Sequence, residues 1–472
     1  MRKFFFSLLS LLIAHFSWSQ NPEKFNIVLI HVDDLGWTDI GALGSDFYDT
    51  PNIDRLAEEG VLFTNSYAAA AICSPTRAAL LTGKYPASLG ITDWIRAKFQ
   101  GVTTSGEPGE FEVFDDKPLK TPKIQGFLPL EEKTIAEYLK PLGYRTLHVG
   151  KWHLGEEGFH PNNQGFDVNV GGNDLGQPPS YFDPYEPEKP RKFYEITTLE
   201  PREAGEFLTD REGDEVVNFI KGNLAEPFFI HYAPYAVHTP IMGPLELVEK
   251  YQNKGKGNQG NPVYAALVES VDRNVGKILS FLEENGLKDK TMVIFTSDNG
   301  GLIGNPDRPI TNNTPLKSQK GYPYEGGIRV PTVVSFPGAF IQGKREGTPI
   351  ISMDWLPTIL DLLDQEPPEE LVGESLMPLL TSTSGKLAER DLFWHFPHYR
   401  GRDVVPYAIS RSRNYKLIYY FDGSESELYD LKFDMEESKN LIQMRPLIAA
   451  DLAQKIDVWL KESKARLPQN KE

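Results

Sequence analysis

Residues 25–36 read FNIVLIHVDDLG. Phe25 to Val32 is a mostly apolar run rich in β-branched residues, broken only by Asn26 and His31, the pattern of a strand buried on both faces within a parallel sheet. It stops at Asp33-Asp34-Leu35-Gly36, which is polar and turn-forming, so the strand ends on two carboxylates. The same pattern recurs downstream: Thr146 to Val149, Pro227 to Tyr232, Met292 to Thr296 and Thr332 to Phe336 read as strands. Between them, Asn52 to Glu59, Lys133 to Leu139, Arg211 to Lys221, Val263 to Glu284 and Asp354 to Leu363 carry helical spacing. Pro51 and Gly60 mark the two ends of the first helix. Strands alternating with helices predict an α/β fold around a mostly parallel sheet.

Two segments interrupt the rhythm. Residues 97–128 and 156–206 are rich in Gly, Pro, Glu and aromatics, and loops of that length inside a domain are usually lids or binding walls. Beyond Glu366-Pro367-Pro368 the spacing changes to that of a small antiparallel sheet: Leu392 to His395, Tyr407 to Ser410, Lys416 to Phe421 and Glu427 to Leu431. An amphipathic helix from Leu447 to Leu467, bounded by Pro446 and Pro468, closes the chain. The expected division is a signal peptide over 1–19, a site-bearing domain over 20–370 and a smaller C-terminal subdomain over 371–472.

The chain has 472 residues, with 40% hydrophobic and 24% charged, which are globular values and exclude a disordered or collagen-like protein. Its net charge of −17 supplies no basic excess to displace counterions from phosphates, so nucleic acid is not an expected partner. An anionic small substrate would need positive charge concentrated in a pocket. Arg2 and Lys3, the apolar run Phe4 to Ala14 and Ser17-Trp18-Ser19 have the layout of an export signal, predicting a periplasmic or secreted protein. No later stretch approaches the ~20 apolar residues of a membrane span, so no transmembrane anchor is expected. Cys73 is the only cysteine, which leaves an exported chain with no internal disulfide and one unexplained thiol.

Polar residues at the C-terminal ends of parallel strands are where such sheets bind ligands. Here they are Asp33-Asp34, Lys151 and His153 after HVG, His238 after FIHYAP, and Asp298-Asn299 after VIFTS. Asp33, Asp34, Asp298 and Asn299 offer hard oxygen donors, suited to Ca²⁺ or Mg²⁺ rather than zinc. Both aspartates reach one ion only if the strand has ended before them, because adjacent strand residues face opposite ways.

The lone cysteine sits in Cys73-Ser74-Pro75-Thr76-Arg77, and a given Cys meets x-Pro-x-Arg by chance only about once in four hundred. This run resembles the maturation motif of the type I sulfatases, in which the cysteine is oxidised to formylglycine (3-oxoalanine). The resemblance continues through DDLG at 33–36, TPNIDRLAEEG at 50–60, CSPTRAALLTG at 73–83, GKWHLG at 150–155, SDNGG at 297–301 and KGYPYEGGIRVP at 320–331. It implies an alkaline-phosphatase-like sandwich with a large, mostly parallel central sheet, plus a smaller C-terminal antiparallel sheet and a terminal helix. It also implies a sulfate-ester hydrolase matured by a formylglycine-generating enzyme.

Carried onto matching positions, the resemblance makes residue 73 the nucleophile and Arg77 its orienting group. Lys151 and Lys320 would hold sulfate oxygens, His238 would stand near the leaving oxygen, and His153 would act as base. Asp33, Asp34, residue 73, Asp298 and Asn299 would bind one Ca²⁺. Lys317 lies nearby, but Lys320 is the lysine directly before Gly in KGxxxEGGxR; Gln319 replaces the family's frequent Gly. Asp174 and His398 are candidate sugar contacts, and Trp94, Tyr181, Phe182 and Tyr185 are candidate carbohydrate platforms.

The expected substrate is a sulfated oligosaccharide or polysaccharide, either algal, such as ulvan or carrageenan, or animal, such as mucin or glycosaminoglycan. The strong acidity of an exported chain tilts this toward a saline, algal source. Two alternatives remain open: a phosphatase or phosphodiesterase of the alkaline phosphatase superfamily, and a catalytically silent glycan-binding protein in which Cys73 is never converted.

Overall fold

The first strand, β1 (Asn26–Val32), is buried along its whole length and lies inside an eight-stranded sheet among the described residues. The computed structural model describes residues 24–101, 110–305 and 307–471; the segment read as a signal peptide, residues 1–19, lies outside them. The other strands are β2 (Val61–Phe63), β3 (Arg145–Gly150), β4 (Val168–Val170), β5 (Phe228–Ala233), β6 (Thr291–Ser297), β7 (Thr332–Ser335) and β8 (Lys344–Glu346). Their spatial order is β8-β2-β7-β6-β1-β5-β3-β4. The run from β6 to β4 is parallel. Strand β7 is antiparallel to both of its neighbours. The chain leaves β6 at its C-terminal end and re-enters at the same edge, without the crossover helix a parallel return requires.

Helices cover both faces: α1 (Pro51–Glu58), α2 (Cys73–Thr82), α3 (Ile135–Leu139), α4 (Leu208–Gly222), α5 (Leu245–Gln252), α6 (Pro262–Glu284), α7 (Glu325–Ile328), α8 (Trp355–Leu362) and α9 (Pro446–Glu462). Alternate residues of β1 point to opposite sides. Val28, Ile30 and Val32 pack with Val216 of α4 and Val268 and Val271 of α6. Ile27 and Leu29 pack with Leu80 of α2, Ile135 of α3 and Ile359 of α8. Each such side chain contributes about 1.5–3 kcal/mol, so both faces hold the sheet in place. Asn261 caps α6 by accepting from the N–H groups of Val263 and Tyr264, with Pro262 in the first turn. A reciprocal cap between Thr134 and Glu137 starts α3 at Ile135, later than periodicity alone suggests.

The C-terminal sheet is antiparallel, in the order β9 (Asp391–Phe396), β10 (Tyr407–Ser412), β11 (Tyr415–Tyr420) and β12 (Glu427–Asp430). Its Trp394 packs in one core with Tyr67, Ile72 and Ala79, and Trp394 Nε1 donates to the Ala68 carbonyl at 2.8 Å. The terminal helix α9 stops at Glu462 rather than Leu467. Lys464 takes a left-handed φ of 52°, and the chain turns so that Gln469 and Asn470 pair with Lys120 and Leu119. That pairing organises part of the 97–128 segment, and β4 lies within the other long segment, so neither is structureless.

Buried charge also ties the C-terminal sheet to α7. Lys416 of β11 has a fully buried side chain, with Nζ 3.1 Å from Glu325 Oε1 and 2.8 Å from Glu437 Oε1. Glu325 opens α7, a few residues beyond Lys320.

Candidate active site

The ends of β1, β3, β5 and β6 meet at one place. Strand β1 closes at Val32, and Asp34 takes a left-handed φ of 62°, so both aspartates lie past the strand, the condition their sharing one ion requires. Lys151 Nζ is 2.7 Å from Asp33 Oδ2, and Lys320 Nζ is 2.5 Å from Asp34 Oδ1. Arg77 Nε donates to Asp298 Oδ2 at 2.9 Å and its Nη1 to the Lys151 carbonyl at 2.7 Å. Arg77, Lys151 and Asp298 are each at most 1% exposed. Burial pushes the Asp298 carboxyl up, but Arg77 and then Lys151 outweigh it and hold the group well below the usual carboxylate range. Lys320 is held above the usual lysine range because Asp34 outweighs the cost of its burial.

The donor chemistry fits one hard cation. Asp33 Oδ1, Asp34 Oδ2 and Asn299 Oδ1 are buried oxygens without a hydrogen-bond partner. Leaving such atoms buried and unpaired is costly unless a cation completes them. Ligand atoms of Asp33, Cys73 and Asp298 lie within 4.8 Å of one another, as do those of Asp33, Asp34 and His238. Asp33, Asp34, Asp298 and Asn299 would supply an all-oxygen set, of the kind a hard cation such as Ca²⁺ takes. Cys73 is the first residue of α2, at the positive end of the helix, and is 4% exposed.

Carbonyl oxygens only accept hydrogen bonds, and this fixes two tautomers. His153 Nε2 lies 2.6 Å from the Ile95 carbonyl, so it carries the proton and leaves Nδ1, which is buried and unpartnered, as a free base. Burial, and then Lys151, push its pKa well below the usual histidine value. His238 Nδ1 lies 3.0 Å from the Thr239 carbonyl, which turns Nε2 toward Asp34 Oδ2 at 3.6 Å. Burial and Lys320 hold His238 down at about 3.

A cavity of ≈ 330 Å³ opens over Cys73, His153, His238 and Lys320. Trp94 lines it, whereas Tyr181 is fully buried and donates from its hydroxyl to the Tyr235 and His238 carbonyls. Phe182 and Tyr185 belong to the packing of that loop. The two expected sugar contacts do not reach the cavity wall. Asp174 Oδ2 accepts from the Lys98 backbone N–H at 3.0 Å. His398 is buried with Nε2 2.8 Å from Thr92 Oγ1, and burial pushes it down to about 3. Lys317 Nζ points to Tyr429 Oη at 3.1 Å and stacks 3.9 Å from the Tyr324 ring centre, away from Asp34. The wall instead uses Phe99, Gln100, Gln177, Arg191 and Arg400, which come from three separate loops with no periodicity or motif to mark them.

A cradle for one hard cation beside buried ammonium groups and a helix N-terminus defines an enzyme that attacks a tetrahedral anionic ester. The chain belongs to the Sulfatase family, whose pattern matches residues 25–365, and is a sulfuric ester hydrolase. Residues 318–465 match the family N-sulphoglucosamine sulphohydrolase, C-terminal. A protein of Formosa agariphila named sulfatase is 31% identical over 524 residues, spanning 94% of this chain and 90% of its own. The N-acetylgalactosamine-6-sulfatase of Mus musculus is 34% identical over 406 residues, spanning 83% of this chain and 71% of its own. The crystal structure of Ps i-CgsB in complex with k-i-k-neocarrahexaose is similar, with 29% identity and a TM-score of 0.77 over 93% of each chain. The alkaline-phosphatase-like architecture expected from the sequence is therefore the one observed.

Proposed function

We propose that this protein removes sulfate from a sulfated saccharide of the galactose series, with residue 73 matured to formylglycine and one Ca²⁺ bound by Asp33, Asp34, Asp298 and Asn299. The observation that carries the reading is the lone cysteine of a CxPxR run at the N-terminus of α2, among orphaned carboxylate oxygens and two buried lysines. A galactose-type sugar is favoured because the similar Mus musculus protein is named for N-acetylgalactosamine and the similar Ps i-CgsB holds a neocarrahexaose. An algal galactan suits the acidity of a chain whose N-terminus reads as an export signal. Among the described residues no helix is long and apolar enough to cross a membrane.

Formylglycine at residue 73, once hydrated, would supply a geminal diol: one hydroxyl to displace the sugar oxygen from sulfur, and a second whose deprotonation lets the carbon–oxygen bond to sulfate break as the aldehyde re-forms, a route a simple serine ester lacks. Bound Ca²⁺ supplies positive charge to the sulfate and the nucleophile. The chain's own groups do the rest. Arg77, clamped by Asp298 and the Lys151 carbonyl, orients residue 73. Lys151 and Lys320 hold sulfate oxygens. His153 Nδ1, bare and fixed by Ile95, takes the proton of the second hydroxyl. His238 would stand near the leaving oxygen, and the negative charge of a bound sulfate would raise its affinity for a proton.

Two outcomes follow. His153→Ala is expected to lower kcat by on the order of 10²–10⁴ through loss of the base, with a smaller change in KM. Adding Ca²⁺ to chelator-treated protein is expected to raise the thermal midpoint, with about 2.7 kcal/mol of stabilisation at a hundredfold excess over Kd. Calorimetric scans at graded Ca²⁺ check this, and an equal response to zinc alone would refute the oxygen-site assignment. A mass spectrum of the peptide bearing residue 73, from protein made in its native host, tests the whole reading. An aldehyde or its hydrate supports it, and unmodified cysteine would favour a silent binding protein.

A further inference from the structure

The cavity wall carries two arginines that the chemistry at residue 73 does not use. Arg400, in the connection between β9 and β10, lies against the backbone of Gly321, the residue after Lys320. Gly321 has a φ of +85°, and a Cβ there would stand 2.6 Å from Arg400 Nε. The carboxylate facing Arg400 is Asp93, whose Oδ1 is 3.9 Å from Nη1, beyond hydrogen-bond reach, and already accepts from the Trp94 N–H at 2.8 Å. Arg191 stacks its guanidinium 4.8 Å from the Phe99 ring centre and 5.5 Å from that of Tyr194, and has no carboxylate partner among the described residues.

The cations beneath the cavity are matched: Lys151 by Asp33, Lys320 by Asp34, Arg77 by Asp298. The two wall arginines therefore add positive charge beyond what one sulfate and its cation site require, in a chain whose net charge is −17. Guanidinium forks with free N–H groups favour bidentate oxyanions. Trp94 and Phe99 line the cavity beside them and add the aromatic surface that suits a sugar.

We propose that the cavity takes a saccharide bearing a second anionic group, sulfate or carboxylate, beyond the ester that is hydrolysed, and that Arg191 and Arg400 receive it. This rests on the sulfatase reading of the same site and specifies its substrate class: a multiply charged oligosaccharide is preferred to one carrying a single sulfate.

The test is calorimetric titration of full-length Cys73→Ser protein with matched sets of galactose-series disaccharides. Each set holds a monosulfated parent, the parent with a second sulfate, and the parent with a uronate carboxylate. At least one doubly anionic ligand is expected to bind about tenfold or more tightly than its parent. Arg191→Ala or Arg400→Ala should remove most of that advantage while weakening the parent less. The corresponding Arg→Lys variants, which keep the charge without the fork, should restore part of it. Which of the two anions gives the advantage identifies the second group. Equal binding within every set, or an advantage that survives both alanine variants, overturns the proposal. Binding needs no turnover, so a failure of the chemistry at residue 73 would appear separately, as absent sulfate release by the unsubstituted protein.

Discussion

Replacing Cys73 with serine is expected to lower turnover of any sulfate ester by a factor on the order of 10⁴ or more, with the fold and cation affinity retained. Residue 73 starts α2, is 4% exposed, and lies with Asp33 and Asp298 in one cluster of ligand atoms within 4.8 Å. Serine nearly matches cysteine in volume and leaves neighbouring Ser74 Oγ, which donates to the His153 carbonyl at 3.0 Å, undisturbed. What serine lacks is the second hydroxyl on the same carbon, so sulfate once transferred has no internal way to leave. Steady-state kinetics, with the thermal midpoint and Ca²⁺ titration measured alongside, check the outcome. A variant that kept a tenth of the activity would exclude the formylglycine chemistry.

Lys416→Met is expected to cost about 3–5 kcal/mol, because it strands the buried Glu437 carboxylate and leaves Glu325 with only Arg329, 3.4 Å away, as its ion-pair partner. Lys416 and Glu325 have fully buried side chains, and Glu437 is 1% exposed. One lysine neutralises one carboxylate. Burial pushes Glu437 up to about 7 despite Lys416, while Glu325, where burial opposes Lys416 and then Arg329, is held below its usual value. In this cluster Glu437 therefore binds a proton in the folded state that it loses in the unfolded chain once the pH exceeds 4.5, its ordinary value. Its contribution to stability is full below that pH and is lost as the pH rises through about 7. Glu437→Gln, which cannot titrate, is expected to remove up to about 1.4 kcal/mol per pH unit of that slope, whatever constant offset the amide adds. Urea denaturation at several pH values measures both variants. A Lys416→Met protein within about 1 kcal/mol of the parent would show that the cluster is not dry.

The cluster also bears on the site, because Glu325 closes the loop that begins at Lys320. Its Oε2 accepts from the Tyr67 hydroxyl at 2.7 Å, and its backbone N–H donates to Glu437 Oε2 at 2.7 Å. The C-terminal sheet thus helps hold the segment that presents Lys320 to Asp34.

The central strands were legible because burial on both faces leaves a predominantly apolar run, as in β1, β5 and β6. Local patterning was a poorer guide at element ends and in the long segments. The helix expected over Leu447–Leu467 ends at Glu462 because a left-handed turn at Lys464 lets Gln469 and Asn470 pair with a strand far away in sequence. Strand β4 was missed because its three residues are only half-buried at the sheet edge and carry no strong pattern. For Asp174 and His398 the chemistry of the residue suggested a ligand; in the fold Asp174 Oδ2 accepts from the Lys98 N–H, His398 Nε2 lies beside Thr92 Oγ1, and neither residue lines the cavity.

By itself, the sequence determined the α/β architecture, the family, and the residues that meet at the strand ends, because each is written locally: apolar runs, a CxPxR motif, carboxylates just past a strand. Only the tertiary structure decided which lysine stands by Asp34, which ring nitrogens of His153 and His238 carry the proton, and that Arg191 and Arg400 share a cavity. Those properties depend on groups brought together from distant parts of the chain, and no local spacing encodes such a meeting.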